Sequence, residues 1–283
     1  MQLGIRYETV YRYEEEVAFS PHEVRLFPRA DRFARVRRLS FSVNGETAVR
    51  YARDVFDNTV AICFYREKMR ELRFAMELDL ELEEKAPFDF ILEPEAVEMP
   101  FAYAGPLAAV LAPFRARQSS GDLSIEGWTP PAAGAERGTV SAIVGLVKAL
   151  HETIFYERRE EGAARSPEET LRLARGACRD VTVLLAEMLR ANGLAARLVS
   201  GYLRELDEES RRAEGSLHAW TEVFLPGAGW VGLDATNGIF CTHNFIAAAV
   251  GLVPADITPI SGSYHKDRQV QSEMSSRLEL LAL

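Results

Sequence analysis

Between Arg70 and Leu82 every second residue is apolar. Leu72, Phe74, Met76, Leu78, Leu80 and Leu82 share one face, and charged side chains fill most of the other. A strict period of two predicts a strand in an antiparallel sheet with one wet face. Leu3–Tyr13, His22–Pro28, Val36–Val43 and Thr59–Tyr65 are further short runs rich in β-branched and aromatic residues. Ser20-Pro21, Asn44-Gly45 and Asp57-Asn58 supply turn signals between them. Residues 1–85 therefore read as a β-rich N-terminal domain. The pattern then breaks: seven of the 13 prolines (Pro87, Pro94, Pro100, Pro106, Pro113, Pro130 and Pro131) fall between Pro87 and Gly138. Proline ends helices and removes backbone donors, so residues 86–138 are expected to form a connector with short helical pieces, wrapped over the next unit or partly mobile.

From Thr139 the period lengthens. Ile143, Leu146, Val147 and Leu150 give helical spacing to Thr139–Tyr156. Ser166-Pro167-Glu168-Glu169 is a helix start, with Ser as N-cap, Pro at the first helical position and Glu three residues after the Ser. That helix should end near Arg175-Gly176. Val181, Leu184, Leu185, Met188 and Leu189 place a second amphipathic helix from Cys178 to about Ala191, stopped by Asn192-Gly193. Ala195–Leu203, Leu217–Leu225 and Trp230–Asp234 follow as strands. The predicted class is α+β, with 139–283 as one mixed core behind the β-rich domain.

Composition narrows the functional classes. Lys plus Arg total 33 against 42 Asp plus Glu, a net charge of −9 and a pI near 5.3. That balance lacks the basic footprint of a nucleic-acid binder. No apolar run reaches the roughly 18 residues of a membrane span. The opening MQLGIRYETVYRYEEE lacks a secretory h-region. Cys63, Cys178 and Cys241 are sparse and odd in number, which fits a reducing compartment; a cytoplasmic protein is expected.

The candidate chemistry begins at Cys178. A cysteine at a helix N-terminus faces unpaired N–H groups that favour the thiolate, and the thiolate is the nucleophile. On position alone the favoured reading is a small core residue, which is what most lone cysteines are. His218 opens one strand and Asp234 ends the next, across the Pro226-Gly227-Ala228-Gly229 turn. A hairpin can bring the two together. For them to face directly the turn must centre on Pro226, so a bulge or uneven loop is expected there. Cys, His and Asp in this order supply a nucleophile, a base and an orienting partner.

Other candidates are weaker. Cys241-Thr242-His243 lacks the second Cys/His pair that a zinc site needs, and reads as a loop near the cleft. Asp180 is either an aid to the site or a helix N-terminal acid that complements the dipole. Trp220 either walls the site or fills the core. Tyr156 either helps hold an oxyanion or, as the favoured reading, packs in the core. Glu205, Asp207, Glu208 and Glu209 lack calcium-loop spacing and read as a solvated loop. No metal or cofactor is expected.

Four segments carry a family resemblance: Gly176-Ala177-Cys178-Arg179-Asp180, Leu198-Val199-Ser200-Gly201-Tyr202-Leu203, His218-Ala219-Trp220-Thr221-Glu222-Val223, and Gly229 through Leu233-Asp234-Ala235-Thr236-Asn237. Together they resemble the core of the bacterial transglutaminase-like superfamily. Tyr11-Arg12-Tyr13 and Ser20-Pro21-His22-Glu23-Val24-Arg25-Leu26-Phe27-Pro28-Arg29 resemble its β-rich N-terminal module. The resemblance implies a papain-like core, with the Cys-bearing helix packed on an antiparallel sheet. It makes Cys178 the nucleophile, His218 the base and Asp234 the orienter. Gly251-Leu252-Val253-Pro254-Ala255-Asp256 departs from a more charged stretch in relatives, which is expected to alter the cleft rim.

The chemistry this implies is acyl transfer through a thioester on a peptide or protein substrate, at an amide side chain or a peptide bond. The backbone N–H of Cys178 is a natural oxyanion donor. Water as acceptor gives hydrolysis, the favoured outcome; a lysine-like amine gives transglutamination. A different thiol acyltransferase and a non-catalytic binding module are the alternatives.

Overall fold

The computed structural model describes residues 1–131, 137–159, 162–204 and 215–283; Glu205, Asp207, Glu208 and Glu209 lie outside the described residues. Six strands come first: β1 (Gln2–Phe19), β2 (His22–Val24), β3 (Ala34–Val43), β4 (Thr47–Arg53), β5 (Thr59–Tyr65) and β6 (Met69–Leu82). The alternating face of β6 is buried throughout, as its period requires. β4 was not foreseen. Its side chains are largely exposed, because it forms the edge of its sheet, and an edge strand has little apolar patterning to betray it. Gly45, at φ +71°, lets the chain leave β3 on one sheet and enter β4 on the other.

The connector is ordered over much of its length. It holds β7 (Glu98–Met99), α1 (Gly105–Val110), α2 (Ala112–Arg115) and β8 (Arg137–Gly138), with β7 paired to β8. It packs on the core. Leu123, Ile125 and Trp128 are buried in the main core. The Tyr103 hydroxyl donates to the Phe224 carbonyl (2.7 Å) and accepts from the Ala195 N–H (2.9 Å). Glu187 accepts from the N–H groups of Gln118 and Ser119.

The remaining elements are α3 (Thr139–Thr153), β9 (Phe155–Tyr156), α4 (Pro167–Leu173), β10 (Arg175–Gly176), α5 (Cys178–Ala191), β11 (Ala196–Arg204), β12 (Gly215–Leu225), β13 (Gly229–Asp234), β14 (Ile239–Phe240), β15 (Phe245–Gly251), β16 (Ile260–Ser261), β17 (Tyr264–His265) and β18 (Ser272–Ala282). Ser166 caps α4 by accepting from the Glu169 N–H. α5 buries Val181, Leu184, Leu185, Met188 and Leu189 against α3 and one face of the antiparallel sheet β14-β13-β12-β11-β15. Each such side chain contributes about 1.5–3 kcal/mol on burial, so this face fixes the helix to the sheet.

The sheet also meets the N-terminal strands. Tyr202, Ile246 and Ala248 enter their core, and the Tyr202 hydroxyl donates to the Leu26 carbonyl (2.7 Å). Buried Asn58 acts as a surrogate peptide for edge strand β15: its Nδ2 donates to Val250 O (2.7 Å) and its Oδ1 accepts from Val250 N (2.9 Å).

The division at 139–283 needs one correction. β16, β17 and β18 return to the N-terminal sheets, with β18 pairing along β1 from Leu3↔Ala282 to Tyr13↔Ser272. β1 offers an open edge, and Leu280 completes the buried face beside it. That pairing is long-range, so no local pattern near residue 272 announced it.

Candidate active site

Cys178 is the first residue of α5, and Asp180 explains how the helix begins there. Asp180 is fully buried. One oxygen accepts from the Ala177 N–H (2.9 Å); the other accepts from Arg159 Nη2 (2.7 Å) and the Arg165 N–H (2.8 Å). It therefore ties down both the helix N-terminus and the incoming chain. Gly176 is required by the same contact: a Cβ there would sit 2.9 Å from the Asp180 Cβ. β10 pairs in parallel with β9 just ahead of Cys178, Gly176 against Tyr156. Tyr156 is half exposed, contrary to the core packing expected of it.

His218 and Asp234 meet without the expected bulge. The β12–β13 register runs regularly from Thr221↔Leu233 to Leu225↔Gly229, which centres the turn on Gly227. Asp234 thus falls opposite Trp220, and His218 lies diagonally, two residues before it. Diagonal neighbours on one face are within reach of a long side chain. His218 Nε2 bonds Asp234 Oδ2 at 2.9 Å. The remaining ring nitrogen, Nδ1, is left for Cys178, whose thiol interacts electrostatically with His218 and with the Ala219 N–H.

Asp234, 1% exposed, is held by more than the imidazole. Asn237 Nδ2 donates to Oδ2 (2.7 Å), and the N–H groups of Thr236 (2.9 Å) and Asn237 (3.4 Å) donate to Oδ1. Trp220 is buried beneath the site, as a core residue on the face of His218. Glycine at 201 leaves room for its ring, and Phe245 packs edge-on against it, 5.4 Å between centroids. Phe245 also flanks the His218 ring at 6.2 Å. Thr236, Asn237 and Phe245 were not assigned roles from sequence; Thr236 and Asn237 appear there only within the segment that carries the family resemblance.

The electrostatics follow from these contacts. Burial is the largest influence on all three groups and opposes charge on each. For His218 it is outweighed by the bonds and charges of Asp234 and Cys178, and the pKa is pushed up to about 10. For Cys178 burial is outweighed by the bond and charge of His218 and by the Ala219 N–H, so the thiol lies below its ordinary value. For Asp234 the His218 bond and charge, with the Asn237 and Thr236 donors, lower the carboxyl. Cys63 and Cys241 go the other way: burial raises Cys63 to about 12 and pushes Cys241 well up.

Two expectations close differently. Cys241 packs against Gly232 and Trp220, and His243 Nδ1 accepts from the Lys85 N–H at 3.4 Å. Among the described residues no cluster of His, Cys, Asp and Glu is placed to hold a metal ion. The 251–256 segment does not rim the cleft. Asp256 caps its own turn through the N–H groups of Leu252 and Val253, and Arg190 near the end of α5 donates to the Leu252 carbonyl. Along the helix that end is about 18 Å from Cys178.

Comparison with known proteins gives the context. The transglutaminase-like superfamily profile matches residues 128–235, which contain Cys178, His218 and Asp234. The bacterial transglutaminase-like N-terminal region matches residues 3–81. An uncharacterised protein of Mycobacterium leprae is 30% identical over 125 residues, 44% of each chain. One from Mycobacterium tuberculosis is 30% identical over 146 residues, 49% of this chain and 46% of the relative. Both matches span slightly under half of the relative's length. A solved structure from Cytophaga hutchinsonii, titled a "putative cysteine protease", superposes with a TM-score of 0.72 over 100% of this chain and 91% of that one, at 15% identity. At that identity the likeness speaks to fold. The chain belongs to the transglutaminase-like superfamily, with a bacterial transglutaminase-like N-terminal region ahead of its core.

Proposed function

We propose that the protein is a thiol-dependent enzyme that breaks amide or peptide bonds through an acyl-thioester on Cys178. One observation carries the reading: a half-buried thiol at a helix N-terminus interacts with an imidazole that is itself hydrogen-bonded to a buried carboxylate. Superfamily membership and the fold of the Cytophaga hutchinsonii protein support it.

In this reading the Cys178 thiolate attacks the carbonyl carbon, forming the C–S bond. The helix N-terminal N–H groups receive the charge that develops on oxygen. The His218 imidazolium gives its proton to the leaving nitrogen as the C–N bond breaks. Neutral His218 then takes a proton from water, which attacks the thioester and releases the acid and free Cys178. Asp234 keeps the proton on Nε2 and stabilises the imidazolium. An amine acceptor would follow the same path to a new amide. Hydrolysis is the preferred outcome, and a reducing, cytoplasmic setting suits the free thiol it requires.

The test is incubation with a peptide library, with and without a primary amine, analysed by mass spectrometry. Cleavage or deamidation that the Cys178→Ala variant lacks supports the reading. Amine adducts in place of acids would move the assignment to transglutamination. No turnover, together with tight peptide capture that survives Cys178→Ala, would replace the enzyme by a binding module.

A further inference from the structure

A second histidine reaches the site through one peptide group. His151, in the last turn of α3, places Nδ1 2.8 Å from the Thr236 carbonyl oxygen. A carbonyl only accepts, so Nδ1 carries the proton. The same peptide group bears the Asn237 N–H that donates to Asp234 Oδ1. The hydrogen bonds therefore run in series from His151 through the 236–237 peptide to Asp234, then to His218 and Cys178. Bonds linked in this way polarise one another.

The turn is also shaped around the ring. Gly238 has φ +72°, and a Cβ there would lie 2.9 Å from His151 Cγ and 3.0 Å from Cδ2. Glycine thus satisfies both the backbone angle and the close approach of the imidazole. The contact is not a cap on α3's own carbonyls, because His151 and Thr236 are 85 residues apart. It joins the end of α3 to the turn that holds Asp234.

We propose that His151 is a positioning residue for the Cys178–His218–Asp234 site, fixing the turn so that the Thr236 and Asn237 N–H groups point at Asp234. This rests on the thiol–imidazole reading above. His151 touches none of the reacting groups and acts only through the 236–237 peptide.

The experiment compares the full chain with its His151→Ala, His151→Asn, His151→Gln and His218→Ala variants. It measures the pH dependence of Cys178 alkylation by iodoacetamide, site-resolved by mass spectrometry, beside the melting temperature. His151→Ala should slow alkylation near pH ~6 by roughly five- to tenfold, the size of one lost neutral hydrogen bond, and move the thiol titration upward. His151→Asn, whose amide nitrogen falls near the position of Nδ1, should restore the wild-type profile. His151→Gln keeps side-chain bulk but misplaces the donor, and should resemble the alanine variant. A purely structural role would lower melting temperature while leaving the titration in place, and that result overturns the proposal. Equal loss in His151→Ala and His151→Asn overturns it as well. If His218→Ala leaves Cys178 reactivity unchanged, the thiol–imidazole reading itself fails. If His218→Ala abolishes the reactivity and His151→Ala does not, only the role of His151 fails.

Discussion

Asp234→Asn probes the site at its most buried point. The carboxylate accepts from His218 Nε2, Asn237 Nδ2 and the N–H groups of Thr236 and Asn237. An amide accepts at one oxygen only. If that oxygen stays with the backbone donors, its NH2 group confronts the His218 N–H and the Asn237 amide, donor against donor. The imidazolium then loses a charge-assisted bond worth about 1.5–3 kcal/mol. At ~1.4 kcal/mol per pKa unit, the ionised thiolate–imidazolium form falls roughly ten- to hundredfold against the neutral pair. Removing the Asp234 charge also relieves its repulsion of the thiolate. That influence is the smallest of those acting on Cys178, so the loss of the imidazolium dominates.

The sign is fixed by the directions of the shifts. In the native protein the thiol is lowered and His218 is raised to about 10, so the ion pair spans the range between. Asp234→Asn should narrow that range from both ends. Iodoacetamide labelling, resolved by peptide mass spectrometry across about pH 4.5–9, reads this directly. Cys63 and Cys241 serve as slow references in the same tube, since burial raises both. Near pH ~6 the variant should label Cys178 roughly ten- to hundredfold more slowly than the wild type. Superimposable profiles, or wild-type Cys178 reacting no faster than Cys63, would refute the reasoning.

Three further outcomes are expected. Because the His218 pKa is raised on folding, its contribution to stability is fully present below about pH 6.5 and is lost as pH rises through about 10; urea titrations from pH 7 to 10 should show an alkaline decline that His218→Gln flattens. Asn58→Ala removes both bonds to Val250 and leaves buried backbone groups unpaired, which should cost about 2–4 kcal/mol, and an unchanged melting temperature would show that this contact does not hold the N-terminal strands to the core. Tyr103→Phe loses the bridge between Phe224 and Ala195, so trypsin should cut faster at Arg115 and Arg117 while Cys178 labelling stays as in the wild type; first cleavage within α5 would contradict this.

What was legible in the sequence was what local demands dictate. α5 was placed to the residue because a 3.6-residue apolar stripe, a cysteine start and an Asn192-Gly193 stop all agree. The β12–β13 hairpin was placed by its turn residues, but not its geometry. The sequence reading paired His218 with Asp234 directly, whereas the regular ladder puts Trp220 opposite Asp234 and lets the imidazole reach across the diagonal. A bulge was inferred only because direct facing was taken as the sole way for two strand residues to meet. β18 and β15 were missed for another reason. Their partners, β1 and β11 with Asn58, are distant in sequence, and strand pairing leaves little mark on either strand alone. The same blindness hid His151. Its contact with Thr236 is to a backbone carbonyl, which every residue has, so no side chain at 236 needed to advertise it. Residues that perform chemistry must be of a particular type and so leave a trace in sequence. The groups that orient them here are largely peptide N–H and C=O, visible only once the fold has brought the two ends of the contact together.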